Sequence, residues 1–361
     1  MPCSMRFPEL GFYTLPGRVA DPRPMFDEIA AGERVGLGSA WISERHDVKE
    51  AAVLSGAAAA RTSEMAIAVG VTNPNTRHVM VTAAFGATMS ALSAGRFALG
   101  FGRGFDLRFD MWGAPRVTMA MLEDTAGLLR RLWAGEKIFG HDGPAGRFGY
   151  LTTELAVTPP PLVLAALGPK TQTMGGRAFD AVLLHSHWTD RAVAACVERA
   201  RRGAEQAGRD PNAVQVWSCL VTAAELPELV ELRHVVRRMT TYMQIPGYGE
   251  LIVKANGWDP AVLEKLRAHP ALEGRIADAT EFTDDELRRL RDVYPEEWLR
   301  DSNAVGSAAH CAKRIVDQFA AGAAGVVLHA SAPDQMTKLL AAYAAVRPSE
   351  RFAGRSPVPG R

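Results

Sequence analysis

The chain is poor in several features, and each shortage removes a class of function. Its four cysteines, Cys3, Cys196, Cys219 and Cys311, are scattered, with no C-x-x-C pair. That argues against a disulfide framework or a cysteine zinc site and points to a reducing cytoplasm. The formal net charge is +1, so bulk electrostatics offer nothing to draw nucleic acid or an anionic membrane. No apolar run approaches the ~18 residues of a spanning helix. The opening "MPCSMRFPEL" has no long apolar core after basic residues, so no secretory leader is expected. No short repeat is visible. The dinucleotide fingerprint G-x-G-x-x-G is missing too. The nearest stretch, "RFALGFGRGFDLRFDMWG" from Arg96 to Gly113, reads G-x-G-x-G instead.

What remains is an ordinary soluble composition. The chain has 361 residues, 47% hydrophobic and 22% charged, enough for one large α/β domain or two smaller ones. Short apolar strands alternate with helical periods. The strands are "ELGFYT", "SAWIS", "EMAIAVGVT", "RFALGFG", "PLVLAAL", "AVLLHS", "VQVWSCLVT" and "GVVLHA". Helices are expected over about 24–35, 49–60, 77–92, 118–133 and 190–207, with a short one opened by Pro169. Buried parallel strands with crossover helices have this appearance. Eight such units point to an α/β fold of the (β/α)8 TIM barrel type. An open doubly wound sheet uses the same alternation and is the structural rival.

The expected organisation is a single barrel domain over residues 1–345, with a flexible C-terminal tail at 346–361. Residues 225–302 interrupt the pattern as a helical insertion between strand seven and its helix. An insertion there leaves from the C-terminal end of a strand, the face that carries barrel active sites. It reads as a lid or pocket wall, or as a dimer decoration. Residues 135–160 form a smaller excursion that reads as a hairpin.

The strand ends hold the candidate chemistry. Strand two ends in "WISERH"; Glu44 and His46 suit proton transfer, beside the plainer reading of a rim ion pair with Arg45. In "AVGVTNP" the strand glycine Gly70 suggests a bulge or a close backbone approach. After strand four, Gly102, Arg103 and Gly104 form a loop suited to phosphate, or a turn bearing a surface arginine. Strand five ends in "AALGPKTQT". There Gly168, Pro169, Lys170 and Thr171 open a helix whose N-terminus attracts phosphate, or is simply capped. Strand six ends in "HSHW". His185 and His187 make an H-x-H pair, but strand eight ends in "LHAS" without a carboxylate, so no metal site is expected. His187 and Trp188 read as pocket lining.

Taken together, these stretches resemble a known family. "TNPNTRHVMVTAAFGATMSALSAGRFALGFGRG" (72–104), with "WISERH", "AALGPKTQTMGGRAFDAVLLHSHWT" and "GSAAHCAKRIVDQFAAGAAGVVLHAS", is similar to the luciferase-like monooxygenase superfamily. The closer resemblance is to its actinobacterial branch of coenzyme F420-dependent oxidoreductases. That likeness covers roughly 7–345. It implies a (β/α)8 barrel, often a homodimer, with a flavin or deazaflavin at its C-terminal mouth. It implies a cis peptide at Gly70-Val71 backing the ring, with Thr72, Asn73 and Ala166 beside the cofactor. It implies that the Gly102–Gly104 loop and the Gly168–Thr171 helix start hold the cofactor phosphate or lie beside it.

Three departures qualify the likeness. The family's frequent E-H-H at strand two is E-R-H here, so Arg45 replaces a histidine. Sugar-phosphate dehydrogenases of the family carry a glutamate where this chain has Phe105, which argues against glucose 6-phosphate. Arg103 is the residue expected of FMN users. The resemblance therefore implies a cytoplasmic F420-dependent oxidoreductase acting on a small organic substrate, with His46, Glu44 and Arg45 as catalytic candidates. His187, Trp188 and Tyr242 are expected to line the pocket. The alternative is an FMN-dependent monooxygenase served by a separate flavin reductase. From other classes come a metal-dependent barrel hydrolase and a non-catalytic flavin-binding protein.

Overall fold

Apolar barrel strands of four to ten residues alternate with helices along the described residues. The computed structural model describes residues 7–361; Cys3 and the start of the segment read as leaderless lie outside them. The elements up to the first excursion are β1 (Phe7–Thr14), α1 (Met25–Arg34), β2 (Leu37–Ile42), α2 (Ala51–Ala59), β3 (Ala66–Val69), α3 (Val79–Leu92), β4 (Phe97–Phe101), α4 (Asp106–Trp112) and α5 (Met119–Trp133). An antiparallel hairpin follows, β5 (Ile138–Gly143) with β6 (Gly146–Leu151), as expected for that excursion. Then come β7 (Leu162–Ala166), α6 (Pro169–Ala178), β8 (Ala181–Leu184), α7 (Asp190–Gln206) and β9 (Gln215–Ala224). The insertion holds α8 (Glu228–Glu231), a π-turn, α9 (Arg237–Met243), α10 (Tyr248–Asn256), α11 (Pro260–Arg267), α12 (Asp284–Arg291) and α13 (Glu296–Asp301). The chain returns through β10 (Ala304–Gly306), α14 (Ala308–Ala320), β11 (Gly325–His329) and α15 (Thr337–Val346).

Sheet order decides between barrel and open sheet. The parallel strands run β9-β11-β1-β2-β3-β4-β7-β8, and β8 pairs back with β9. The sheet is therefore a closed barrel of eight parallel strands, and the doubly wound alternative is set aside. The short β10 adds to β9 outside this ring.

Alternate strand residues point inward and outward. Tyr13, Trp41, Ala68, Ala98, Val163, Leu183, Trp217 and Val327 fill the interior, while their neighbours pack under the helices. Trp41 and Trp217 lie 5.5 Å apart at the centre. The small residues around them make room: a Cβ at Gly11 would sit 2.5 Å from the Trp41 ring. The insertion carries an apolar core of its own, with Met239, Leu266, Leu290 and Trp298 among its members.

The tail expected to be mobile is packed instead. Val358 closes the barrel interior from below and is 4% exposed. Arg351 donates to the Phe319 and Ala323 carbonyls at 2.7 and 3.1 Å, and Arg361 donates to those of Gly95 and Pro159. These partners lie at the N-terminal ends of the strands, opposite the site. Pro and Gly suggested a loose end, but Phe352 and Val358 are apolar anchors that bind it down.

Candidate active site

The C-terminal ends of β2, β3 and β4 form a floor fixed by hydrogen bonds. The Gly70-Val71 peptide is cis, as the resemblance implied. Tyr13 donates its hydroxyl to the Gly70 carbonyl at 2.8 Å. The Gly70 N–H reaches the Ile42 carbonyl, and the Glu44 N–H reaches that of Val71. Thr72 donates its N–H to the Gly100 carbonyl, and Gly102 donates to that of Thr72, both at 2.9 Å. Asn73 closes the set by donating to the Gly102 carbonyl at 2.7 Å. The glycines are required here. A Cβ at Gly100 would stand 2.1 Å from the Val69 oxygen, and one at Gly102 2.7 Å from Val71. Gly104 adopts φ +66°, a conformation glycine takes freely. The Gly102 N–H is thus spent within the sheet, and the side chain the loop offers to an anion is that of Arg103. Arg103 is 47% exposed, 3.7 Å from Asp106, and donates to the Val117 carbonyl at 3.2 Å.

Glu44 is a structural carboxylate. Its side chain is buried and accepts from both arms of Arg77 and from the Thr72 hydroxyl. The Ala51 N–H adds a further bond at 3.2 Å. Burial alone would raise its pKa. The bonds from His46, Arg77 and Thr72, with the Arg77 charge, hold it well below the usual carboxylate range. A carboxylate so fully occupied is a poor proton carrier, contrary to the role expected for it. His46 lies 3.6 Å from Glu44 and edge-on to Trp112 at 5.5 Å. Its Nε2 is buried without a partner among the described residues. Arg45 does not stand free to orient a substrate: it pairs with Asp278 of the insertion at 2.6 Å, tying that segment to β2.

On the far side of the mouth, β7 and β8 deliver their side chains by parity. Ala165 turns inward near Gly102, so Ala166 faces the helix layer and offers the mouth only its backbone. At the start of α6 no side chain caps the helix. A Cβ at Gly168 would meet nothing within 4 Å. The early N–H groups, Lys170 and Thr171 among them, therefore stay open to an anion. His185 lies edge-on to Tyr242 with centroids 4.0 Å apart. His187 takes φ +69°, which swings Trp188 outward into the cluster beneath α7. Trp188 therefore does not line the pocket, a correction that follows from this left-handed turn.

Burial disfavours the charged form of His185, His187 and His329. His187 Nδ1 lies 2.9 Å from Asn303 Oδ1. The Asn303 amide group donates to Leu299 and Ser302, which fixes Oδ1 as acceptor. The proton of His187 is therefore on Nδ1, and Nε2 is a buried lone pair without a partner among the described residues. Burial pushes His185 down to about 4 and lowers His187 and His329 as well. No set of three His, Cys, Asp or Glu side chains is gathered to hold a metal among the described residues.

The insertion supplies a wall of aromatic rings. Phe105 stacks on Tyr248 at 5.1 Å, and Tyr248 on Tyr242 at 6.4 Å. This row runs from the β4 loop toward His185. Several mouth residues escaped sequence reasoning: Tyr13, Lys49, Arg77, Arg238 and His329. Tyr13 and His329 had a usable signal, since inward parity carries both to the upper end of their strands. Arg238 had none, because it arrives from a distant helical segment; Tyr248 falls in the lid stretch 242–251 expected to shape the pocket.

Comparison with known proteins places this geometry. A 5,10-methylenetetrahydromethanopterin reductase of Methanolobus tindarius is 28% identical over 236 residues, covering 63% of this chain and 69% of that one. An F420-dependent glucose-6-phosphate dehydrogenase of Nakamurella multipartita is 30% identical over 207 residues, 52% and 60% of the respective chains. Among solved structures, the coenzyme F420 dependent tetrahydromethanopterin reductase of Methanopyrus kandleri superposes with a TM-score of 0.74. It covers 94% of this chain and 99% of its own at 18% identity, a likeness that carries the fold. The family model described as luciferase-like monooxygenase matches residues 9–345, and the chain belongs to that family.

Proposed function

We propose that the protein is an F420-dependent oxidoreductase that exchanges hydride with a small organic substrate at the barrel mouth. The observation that carries the reading is the F420-dependent relative at 30% identity. The residues present fit a deazaflavin with a phosphate tail. Gly70, Gly100 and Gly102 let β3, β4 and their neighbours pack closely enough to form the floor, while the uncapped α6 and the loosely held Arg103 offer two anion sites. When bound, the cofactor supplies the hydride chemistry. The protein's residues hold and exclude. Tyr13, Thr72 and Asn73 fix the floor, and the Glu44–Arg77 pair sets the rim. His46 carries the accompanying proton, its unpartnered Nε2 being the acceptor available there. Tyr242 and Tyr248 wall the pocket, and the insertion acts as its lid.

Phe105 stacks where sugar-phosphate enzymes of the family carry a glutamate, so glucose 6-phosphate is not the substrate in this account. A second reading keeps weight because of Arg103, whose exposed fork also suits FMN. In that case the protein is a monooxygenase supplied by a flavin reductase. Two assays separate them. Reduced F420 is incubated without oxygen with enones, aldehydes and lactones, and return of the oxidised absorbance is followed. Oxygen uptake is measured with reduced FMN. Reoxidation of F420 supports the first reading; oxygen uptake tied to FMN replaces it with the second.

The homodimer expected from the family finds a candidate face on α2 and α3, where Val53, Val81 and Leu92 are 72%, 56% and 64% exposed. Sedimentation of a Val81→Glu variant as monomer and of the wild type as dimer would support that assembly. The buried free thiols of Cys196, Cys219 and Cys311 fit a cytoplasmic setting. No helix among the described residues is long and apolar enough to cross a membrane.

A further inference from the structure

Arg238, on α9 of the insertion, is a half-buried cation without an anion. Its Nε is buried and unpartnered, and it makes no hydrogen bond among the described residues. Its guanidinium lies over the face of Tyr242, with the carbon 4.9 Å from the ring centroid. The adjacent Arg237, by contrast, donates to the carbonyls of Ala277 and Asp278. The Arg238 charge acts on Tyr13, His185, Cys219, His329, His187 and Lys49. None of these is negative. Burial raises Tyr13 and pushes Cys219 up to about 12, so both stay protonated. The histidines are neutral, and Lys49, driven down to about 7 mainly by burial, adds positive charge.

The nearby acids are committed elsewhere. Asp278 pairs with Arg45, and Glu44 with Arg77. Glu28 accepts from the Thr14 hydroxyl and the Leu15 N–H at 2.6 and 2.8 Å. A cation whose Nε is buried without a partner is costly unless a ligand supplies one.

We infer that Arg238 binds the carboxylate of an organic-acid substrate. The inference rests on the oxidoreductase reading and names its substrate class. Position separates this group from the cofactor phosphate. Arg103 and α6 follow β4 and β7, whereas the groups on which Arg238 acts belong to β1, β9 and β11 and to the end of β8, which neighbours β7. One planar fork matches a carboxylate. Lys49, which donates to the Leu15 carbonyl, gains charge as the anion enters and strengthens the hold.

The test uses the full chain, with and without F420, titrated calorimetrically with benzoate and with neutral benzamide. Benzoate is expected to bind and benzamide to bind at least about tenfold more weakly. Loss of a charge-assisted bond in Arg238→Gln weakens benzoate by about ten- to a hundredfold. Arg238→Lys restores part of the affinity. F420 affinity stays within twofold, and unliganded Arg238→Gln melts close to wild type, because it loses the contact with the Tyr242 ring but no hydrogen bond or ion pair among the described residues. Equal binding of the two probes overturns the inference. So does unchanged benzoate affinity in Arg238→Gln, or a loss of F420 affinity as large as that of benzoate. Arg238-dependent benzoate binding in a protein that ignores F420 would keep the carboxylate site and remove the oxidoreductase reading.

Discussion

Replacing Glu44 by glutamine separates an anchoring role from a proton-carrying one. The Glu44 side chain is 1% exposed and that of Arg77 14%. The amide keeps the shape and loses the charge, leaving Arg77 with Glu50 as its remaining carboxylate. Removing one partner of a buried pair costs about 3–5 kcal/mol. At ~2.1 cal/mol/K per residue, a 361-residue chain has an unfolding entropy of ~0.76 kcal/mol/K, so Tm falls by about 4–7 °C at neutral pH. The pH dependence carries the sign. The folded carboxyl titrates well below its ordinary 4.5, so below that value the unfolded chain binds the extra proton. The stabilisation is complete above about 4.5 and is lost as pH falls toward the folded value. Wild type and Glu44→Gln should therefore converge by about 1.4 kcal/mol for each pH unit below that point. Thermal unfolding followed by circular dichroism between neutral pH and about pH 3.5 reads this directly. Equal Tm values at neutral pH, or a gap that persists unchanged in acid, would refute the assignment of Glu44 as a charged anchor.

Other expectations follow from the same geometry. Gly100→Ala sets a Cβ 2.1 Å from the Val69 oxygen; urea unfolding should register a loss of about 3 kcal/mol, and cofactor affinity should drop. Deleting residues 349–361 uncovers the seats of Phe352 and Val358; stability should fall by about 3–6 kcal/mol, with cofactor affinity unchanged because the tail lies at the opposite end. Trp188→Phe should leave KM unaltered, since Trp188 packs beneath α7, whereas Tyr242→Ala should raise KM by removing the pocket wall. His46→Ala should depress turnover while sparing cofactor binding; unaltered turnover would remove His46 from proton transfer.

The fold was legible because buried parallel strands are continuous apolar runs, and those runs recur at the spacing of crossover helices. The floor of the site was legible in a different way. Gly70, Gly102 and Gly104 stood out as glycines at strand ends, but the resemblance gave Gly70 its meaning. Side-chain direction was harder to read. Ala166 and Trp188 lie in the expected stretches yet face the helix layer, one through parity and the other through the left-handed turn at His187. Arg45 and Glu44 were visible as charges, but their partners Asp278 and Arg77 lie 233 and 33 residues away. Ion pairing across such distances leaves no local mark. The same is true of Arg238, a member of a polar helix whose function depends on where the insertion folds.

The most direct test is a parallel titration of the purified protein with F420 and with FMN, followed by fluorescence. The account predicts tight binding of F420 and weak or no binding of FMN. Tight binding of FMN alone would contradict it and make Arg103 the residue that selects the cofactor.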